Sequence, residues 1–466
     1  MSLRIMHIST RLILGGSQEN TVLSCEGQVR RGHAVALVYG PIYGPEGSLY
    51  DRAAAFRAGE DVVSRQPLGA TEDGGQRGEA AEGPHDRAAE PPNPGARNPE
   101  LGTRNAPGTQ HSALGTPHSP TSSRRIELIE TPNLVRELAP LKDRRCLRDL
   151  RRIIRDWKPD VVHTHSSKAG ILGRLAAWKE RVPCIIHTIH GLPFHPYEKK
   201  WRNAVYILSE RIAARRCHRI VCVADAMRDQ ALAAGIGRPE QYVTVYSGME
   251  IDSFLHPRWT REQVRRELGV AEHEFILGTV ARLAELKGHD DLIDALGPLM
   301  HERPSLRLLW VGDGWWRDRL FARLRDAGLA GRVITTGLVP PEEVPKYVQA
   351  MDCLAHPSYR EGLPRTVPQA LLSARPVIAY DVDGTKECCR DGETGRLVKP
   401  GDLPGLCEAV RWMMDHPKER TAMGVAGREL CRTRFSAETM VDELERVYAS
   451  VLEHRGGRSA GRGARR

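Results

Sequence analysis

Short apolar runs alternate with helical patterns along most of the chain. The run 3–9 is apolar and strand-like, and a Gly-containing loop separates it from helical spacing over 18–32. That spacing ends at Gly32, the residue type favoured at helix C-termini, and a second apolar strand follows at 33–40. Apolar strands that alternate with helices are typical of a parallel sheet covered on both faces. The pattern therefore predicts an α/β fold.

The rhythm repeats in two series. The first continues with predicted strands at 160–166, 184–191, 219–225 and 242–248. The second begins after Gly248 and predicts strands at 274–283, 306–314, 332–339, 351–358, 375–382 and 395–401, with helices between them. Each series has the size of one doubly wound domain, so we expect two such domains that face a central cleft. In open α/β sheets, ligands bind at the carboxyl ends of the strands.

Composition interrupts the pattern between residues 66 and 124. This stretch is rich in Gly, Pro, Ala, Glu and Arg and nearly free of large apolar residues, so it predicts a disordered insertion. Ser436 is the expected N-cap of a final amphipathic helix. The predicted organisation is an N-terminal domain over 1–250 that contains the 66–124 insertion, a C-terminal domain over 251–435, the final helix over 436–455 and a disordered basic tail over 456–466.

Charge and cysteine content narrow the possible environments. A net charge of +9 favours anionic ligands such as nucleotide phosphates or acidic lipids, whereas the scattered Arg residues form no nucleic-acid platform. Ten Cys without metal-binding spacing indicate reduced thiols in the cytosol. The first 16 residues lack a signal-peptide apolar core, and no run approaches the roughly 20 apolar residues that span a bilayer. We expect a cytoplasmic protein, with peripheral contact at the inner membrane face left open.

The stretch 359–384, "YREGLPRTVPQALLSARPVIAYDVDG", follows a predicted strand and leads into a short helix. Backbone N–H groups at the start of that helix, with Thr366 as the expected cap, would attract a diphosphate. Glu361 could accept hydrogen bonds from sugar hydroxyls, and Gln369 could do so without a charge. An ordinary strand–helix turn with a surface Glu is the alternative.

Two further sets of residues lie at predicted strand ends. Arg282 and Lys287 could neutralise a diphosphate, although such cations are also common as solvated surface charges. Gly15 and Gly16 would let a ligand approach the backbone closely, but they form neither a GxGxxG fingerprint nor a P-loop.

Four histidines, His163, His165, His187 and His190, also lie at predicted strand ends. They lack HExxH spacing and partner carboxylates, so we expect no metal site. His190 is the one expected to face the cleft, and the others are expected to be packing or loop residues.

The motifs "VARLAELKGHDDLIDAL", "LLWVGDG" and "DGETGRLVKPGD", together with the stretch around Glu361, resemble the GT4 family of retaining glycosyltransferases, which have the GT-B fold. "HTIHG" and "VYSGMEIDSF" extend the resemblance across the first half. The resemblance implies two Rossmann-like domains, an N-terminal one for the acceptor and a C-terminal one for a nucleotide sugar. It also implies that the final helix crosses back to the first domain.

The resemblance further implies roles for single residues. Arg282 and Lys287 would neutralise the leaving diphosphate, Glu361 would bind donor-sugar hydroxyls as the first Glu of the family's E-x7-E motif, and His190 would lie beside the transferred sugar. The remaining donor contacts would come from Gly15, Gly16, Leu338, Val339, Gly362 and Leu363. Gln369 stands where the family usually has the second Glu, the ribose ligand, so its bond to ribose would be weaker.

The expected function is retaining transfer of a sugar from a nucleotide-diphosphate sugar to a lipid-linked or glycan acceptor. No cofactor or metal is expected, and the acceptor hydroxyl would attack from the face that the diphosphate leaves. The basic helical pattern over 142–158 could contact an anionic membrane. A nucleotide-sugar epimerase and a non-catalytic nucleotide-sugar-binding protein are the alternatives. The sequence leaves the sugar, the base and the acceptor open.

Overall fold

The computed structural model of the chain describes residues 2–43, 47–59, 125–137 and 139–463, with side chains up to residue 454. The predicted insertion at 66–124 and the last three residues of the predicted tail lie outside the described residues. The described elements form two parallel sheets with helices between the strands.

The first half contains a seven-stranded parallel sheet with the order β3-β2-β1-β4-β5-β6-β7. Its strands are β1 Arg4–Ser9, β2 Ala34–Tyr39, β3 Ile126–Glu130, β4 Val161–His165, β5 Cys184–Ile189, β6 Arg219–Cys222 and β7 Tyr242–Thr244. The helices of this half are α1 Gly16–Arg30, α2 Tyr50–Ala55, α3 Pro140–Trp157, α4 Ser167–Lys179, α5 Lys200–Ala214 and α6 Asp225–Ala233.

The second half contains a six-stranded parallel sheet with the order β10-β9-β8-β11-β12-β13. Its strands are β8 Phe275–Val280, β9 Leu306–Val311, β10 Val333–Gly337, β11 Cys353–His356, β12 Val377–Tyr380 and β13 Gly395–Val398. The helices are α7 Asp252–Leu255, α8 Arg261–Glu267, α9 His289–Glu302, α10 Arg317–Asp326, α11 Val344–Ala350, α12 Thr366–Leu372, α13 Thr385–Cys388, α14 Leu403–Asp415 and α15 Pro417–Arg434.

The strand order reverses once in each sheet, between β1 and β4 in the first and between β8 and β11 in the second. Helices on either side of such a point diverge and leave a crevice at the carboxyl ends of the strands. β4 and β5 are buried along their whole length, although β4 carries two histidines and a threonine. The two doubly wound sheets confirm the predicted fold class.

The chain ends in the long helix α16, Ala437–Gly463. Ser436 caps it as predicted, because its Oγ accepts a hydrogen bond of 3.0 Å from the Thr439 N–H. The helix packs Val441 and Leu444 in one core cluster with Ile5 of the first sheet. It continues to Gly463 rather than ending at 455, since each residue added to a formed helix gains a backbone hydrogen bond.

All ten cysteines lie among the described residues, none of them forms a disulfide there, and nine of them are buried. Within the described ranges, none of the helices combines the length and apolar character that crossing a bilayer requires.

Candidate active site

A cavity of about 740 Å³ lies between the two halves of the fold, at the carboxyl ends of strands from both sheets. Six of the predicted site residues line it: Gly16, His190, Lys287, Glu361, Gly362 and Leu363. These residues come from loops that are distant in sequence, so the fold assembles them as the strand-end rule predicts.

Lys287 and Glu361 form an ion pair in this cavity. The Lys287 Nζ lies 2.6 Å from Glu361 Oε1, and the two side chains are 30% and 15% exposed. Gly288 follows the lysine with a φ of +72°, and a Cβ there would lie 2.0 Å from the Pro357 carbonyl oxygen. This close backbone approach, which requires glycine, brings the loop before α9 beside the loop after β11.

The surroundings of Glu361 keep it ionised. Burial alone would raise the pKa of this carboxyl, but the charge of Lys287 and the ring of His356 outweigh burial and hold the pKa well below its usual range. The His356 Nε2 lies 3.2 Å from Glu361 Oε1. The backbone N–H of Glu361 donates to Asp383 Oδ2 at 2.7 Å, which fixes the loop.

Thr366 does not cap α12, so that prediction is wrong. The helix begins at Thr366 itself, with Arg365 as its N-cap, and has no side-chain cap. Because Thr366 is already inside the first turn, its hydroxyl bonds instead to Nδ1 of His356 at 3.2 Å. Thr366 therefore supports the histidine that faces Glu361, a role that the sequence pattern did not reveal.

The two halves touch closely at the Gly-Leu-Pro turn. A Cβ at Gly362 would lie 2.0 Å from the His190 carbonyl oxygen, so no other residue fits without moving the backbone. Gly16 lies against the side chain of Arg365. These contacts place the turn of the second half directly against the strand-end loops of the first.

The cavity is also lined by three arginines that the sequence motifs did not indicate: Arg136, Arg360 and Arg365. Arg365 bridges the two halves, because it donates to Glu19 Oε1 at 2.7 Å and to the Gly248 carbonyl at 3.0 Å. Arg360 donates to the Leu192 carbonyl. Arg360 and Arg365 lie close to Glu361 in sequence. Their position in the same strand-end loop could have identified them as residues of the cavity.

Five predicted site residues lie outside the lining of this cavity. Arg282 stacks over the ring of Trp315, with its guanidinium carbon 5.5 Å from the ring centroid. Leu338 is 66% exposed after β10, and Val339 packs partly into the core. Gly15 is the N-cap of α1. Gln369, on α12, is half-buried, and its amide has no hydrogen-bond partner among the described residues.

His190 lines the cavity as predicted, and its Nε2 lies 3.0 Å from Nδ1 of His165. Burial, with the charge of Arg365 adding to it, lowers the pKa of His190 to about 3, so the ring is neutral at physiological pH. His163 and His165 lie on β4, where their side chains are buried and hydrogen-bonded within the first half of the fold. His187 is also buried, although it contributes to the cavity lining.

Comparisons with known proteins agree with this architecture. The protein-family model "Glycosyl transferases group 1" matches residues 260–430, and the protein-family model "Glycosyltransferase Family 4" matches residues 104–253. The UDP-Gal:alpha-D-GlcNAc-diphosphoundecaprenol alpha-1,3-galactosyltransferase of Escherichia coli is 26% identical over 324 residues, which cover 69% of this chain and 83% of that protein. The capsular polysaccharide biosynthesis glycosyltransferase CapM of Staphylococcus aureus is 23% identical over 343 residues, covering 71% and 87%.

A solved structure shares the fold. The crystal structure of Anabaena Alr3699/HepE in complex with UDP superposes with a TM-score of 0.71 at 18% identity, covering 96% of this chain and 100% of that one. The two family models fall on the two doubly wound halves. The chain therefore belongs to the GT4 family of glycosyltransferases and has the GT-B fold.

Proposed function

We propose that this glycosyltransferase moves a hexosyl group from a uridine-diphosphate sugar to a lipid-linked acceptor, with retention at the anomeric carbon and without a metal ion. The observation that carries the proposal is the Lys287–Glu361 pair in the cleft, with a cation for the diphosphate beside a carboxylate for sugar hydroxyls. The choice of uridine rests on the Escherichia coli relative, whose name includes UDP-Gal, and on the HepE complex with UDP.

Lys287 and Glu361 can serve the donor together. An ammonium group has three donors, so Lys287 can keep its bond to Glu361 and still reach a phosphate oxygen. Glu361 has a second carboxylate oxygen that can accept from the sugar. Arg360 and Arg365 add positive charge along the same wall of the cavity. This arrangement orients the sugar and stabilises the negative charge that develops on the diphosphate as the glycosidic bond breaks.

The transfer step follows from this charge arrangement. The acceptor hydroxyl attacks the anomeric carbon from the side of the leaving group, the bond from that carbon to the diphosphate oxygen breaks, and a phosphate oxygen takes the hydroxyl proton. The cationic side chains take the role that a divalent cation has in other phosphoryl-binding sites. Transfer that is unchanged by EDTA supports this proposal, and loss of transfer that Mg²⁺ or Mn²⁺ restores contradicts it.

The base and ribose would extend from the cavity towards Arg282, which follows β8, and towards Leu338 and Val339, which follow β10 of the second sheet. Arg282 would leave the ring of Trp315 to reach the diphosphate. Gln369 is proposed to bond ribose hydroxyls through its half-buried amide. A thermal-shift panel of UDP-, GDP- and ADP-sugars tests the donor, because a ligand that binds only the folded state raises apparent stability. Stabilisation by GDP- or ADP-sugars alone would contradict the proposed uridine donor.

Product analysis tests the reaction itself. Proton NMR of the product should show the anomeric configuration of the donor, and inversion would contradict retention. Incubation with donor alone should yield little free sugar and no epimer. An epimer in that control would favour an epimerase, and donor binding without transfer to any acceptor would favour a binding protein.

The proposed lipid-linked acceptor is supported by an apolar surface beside the cleft. Trp201, Val205, Leu208 and Ile212 recur at helical spacing on α5, and all four are exposed. An open groove of about 440 Å³ is lined by Trp201 and Val205 from the first turns of α5, and it shares Arg136 with the donor cavity. An acyl or polyprenyl chain could lie there while its head group reaches the sugar.

The basic helix α3 offers charge rather than apolar surface to a membrane. Its apolar side chains Cys146, Leu150 and Ile154 are buried, which leaves mainly basic residues exposed on the other side. Anionic headgroups attract such residues with about 1 kcal/mol per cation near the surface. The proposed membrane contact therefore combines the charge of α3 with the apolar stripe of α5.

Vesicle sedimentation tests this surface. We expect the protein to pellet with vesicles that contain anionic lipid, and we expect Leu208→Glu to reduce pelleting. Val425→Glu is a matched control, because Val425 is similarly exposed but lies on α15 of the second half. Equal pelleting of all three proteins would contradict a role for α5.

A further inference from the structure

A chain of buried hydrogen bonds connects His190 of the cavity to the C-terminal helix. The His190 Nε2 lies 3.0 Å from His165 Nδ1, His165 Nε2 lies 2.9 Å from His7 Nδ1, and His7 Nε2 lies 2.8 Å from Gln28 Oε1. Gln28 Nε2 donates to the hydroxyl of Tyr448 on α16 at 3.2 Å. We call these five residues the histidine relay.

Strand register creates the relay. His7 on β1 pairs with His163 on β4, and His165 on β4 pairs with Thr188 on β5, so these side chains share one face of the sheet. The side chains of His7 and His165 are 0% and 1% exposed, beneath α1 and α16. A sheet face filled by imidazoles must satisfy every ring nitrogen internally, since an unpaired buried polar atom is costly.

The same rings could suggest a metal site, because nitrogen atoms of His7, His163 and His165 lie within 4.8 Å of one another. All six of their ring nitrogens already have hydrogen-bond partners, however. His163 uses Nδ1 with the hydroxyl of Tyr448 and Nε2 with Thr188 Oγ1, each at 2.6 Å. A metal ion would have to break this network, so the geometry favours a hydrogen-bonded role.

The rings of the relay are neutral. Burial lowers the pKa of His7 to about 4 and that of His190 to about 3, and it holds the pKa of His165 well below the usual value. A neutral imidazole carries one N–H and one acceptor nitrogen. Rings joined nitrogen to nitrogen must therefore all point their N–H groups the same way along the chain.

Gln28 determines that direction. Its carbonyl oxygen faces His7, so His7 must carry its proton on Nε2 and accept at Nδ1. His165 then donates from Nε2 and accepts at Nδ1, and His190 donates from Nε2. When the hydroxyl of Tyr448 donates to Nδ1 of His163, its oxygen accepts from the amide nitrogen of Gln28, which keeps the amide in this orientation.

We propose that Gln28 and Tyr448 are positioning residues, which act through His7 and His165 to fix His190 as the tautomer that is protonated on Nε2. The Nδ1 of His190, which has no hydrogen-bond partner in the described part of the chain, is then an acceptor at the cavity wall. It recognises a ligand group that donates, such as a sugar hydroxyl. The identity of that ligand rests on the proposed function, whereas the tautomer does not.

The direct test is a long-range proton–nitrogen NMR correlation on the full chain labelled with ¹⁵N-histidine, recorded without ligand. The His190 signals are assigned by their absence in His190→Asn. We expect a protonated Nε2 and an unprotonated Nδ1 in the wild type. A proton on Nδ1 of His190 would overturn the proposal.

Gln28→Met tests whether Gln28 sets the direction in which the N–H groups point along the relay. It leaves His7 Nε2 without an acceptor, and an orphaned buried N–H is rarer than an orphaned acceptor. We therefore expect the whole relay to reverse and His190 to move its proton to Nδ1. Tyr448→Phe, which keeps the ring in place, should free the Gln28 amide and populate both tautomers, and it serves if Gln28→Met does not fold.

Ser24→Ala is the matched control, since Ser24 is also buried on α1 but does not contact the relay. Its hydroxyl donates to the Asn20 carbonyl in the same helix and lies 4.0 Å from the sulfur of Met440. It should leave the tautomer of His190 unchanged. For transfer, Gln28→Met should lower kcat/KM by roughly three- to tenfold, the effect of one neutral hydrogen bond. Identical His190 tautomers in the wild type, Gln28→Met and Tyr448→Phe would overturn the proposal. A chain that transfers no sugar would refute the proposed function and leave the NMR result standing.

Discussion

Replacing Lys287 by Met separates the two tasks of the Lys287–Glu361 pair. Methionine keeps most of the length of the side chain and removes the charge together with the N–H donors. In the free protein, Glu361 would lose the ammonium group 2.6 Å away and remain a carboxylate that is 15% exposed. During transfer, the leaving diphosphate would lose one fixed cation.

The two losses have different sizes. Breaking a fully buried pair by removing one partner costs about 3–5 kcal/mol. Both members are partly exposed here, so solvent screening reduces the expected loss of stability to about 1–2 kcal/mol. Removing a preorganised group that stabilises transition-state charge costs about 2.7–4 kcal/mol, which corresponds to a kcat lower by roughly 10²- to 10³-fold.

A double variant distinguishes the two effects. Lys287→Met with Glu361→Gln removes both charges, so the uncompensated carboxylate disappears and we expect most of the lost stability to return. Transfer should not return, because the cation that faces the diphosphate is still missing. Thermal unfolding and initial transfer rates of the wild type, both single variants and the double variant form a complete cycle.

The pH dependence gives an internal check. Because the folded-state pKa of Glu361 lies below its usual value, the pair stabilises the wild type above about pH 4.3 and this stabilisation fades as the pH falls. The stability deficit of Lys287→Met should therefore be largest near neutral pH and shrink in acid. A variant that transfers sugar at the wild-type rate would refute the assigned role of Lys287.

Three further outcomes are expected. Gly362→Ala should reduce transfer at least tenfold, because its Cβ would lie 2.0 Å from the His190 carbonyl oxygen. Gly331→Ala is the control and should behave as wild type in the same assay, because the space around Gly331 is open. Equal transfer rates for the two variants would contradict the close approach at Gly362. Gln369→Glu should tighten donor binding by roughly tenfold, since a charged acceptor is stronger, and an unchanged Kd by calorimetry would contradict the ribose contact. The free energy of unfolding should fall as the pH drops from 6.5 to 4, because His7 takes up a proton there in the unfolded chain but not in the folded one, where its pKa is about 4. The loss from His7 alone approaches about 3 kcal/mol. A urea midpoint that is the same at pH 7 and pH 5 would contradict this prediction.

Periodicity predicted the two parallel sheets because strands that helices cover on both faces are rich in apolar residues and stand out as short apolar runs between helical patterns. The edge strand β3 escaped notice, since its sequence "IELIE" mixes charged and apolar residues. One of its five residues is buried, two are half-buried and two are exposed. Its assignment depends on pairing with β2, a contact that local sequence does not encode.

The strand-end rule located Lys287, Glu361 and His190, but it could not supply what surrounds them. Arg365 acts across the cleft, on Glu19 and Gly248, which are distant in sequence. The partners of His190 lie on other strands and on α1 and α16, and they meet only through sheet register. Such contacts are set by tertiary packing rather than by local pattern.

Calorimetric titration of UDP into the wild type and Lys287→Met tests the central claim that a nucleoside diphosphate binds in the cleft against this cation. We expect UDP to bind the wild type and to lose roughly 10- to 100-fold in affinity in the variant, the effect of one hydrogen bond to a charged group. Equal affinity in the two proteins, or no binding of UDP to the wild type, would contradict the claim.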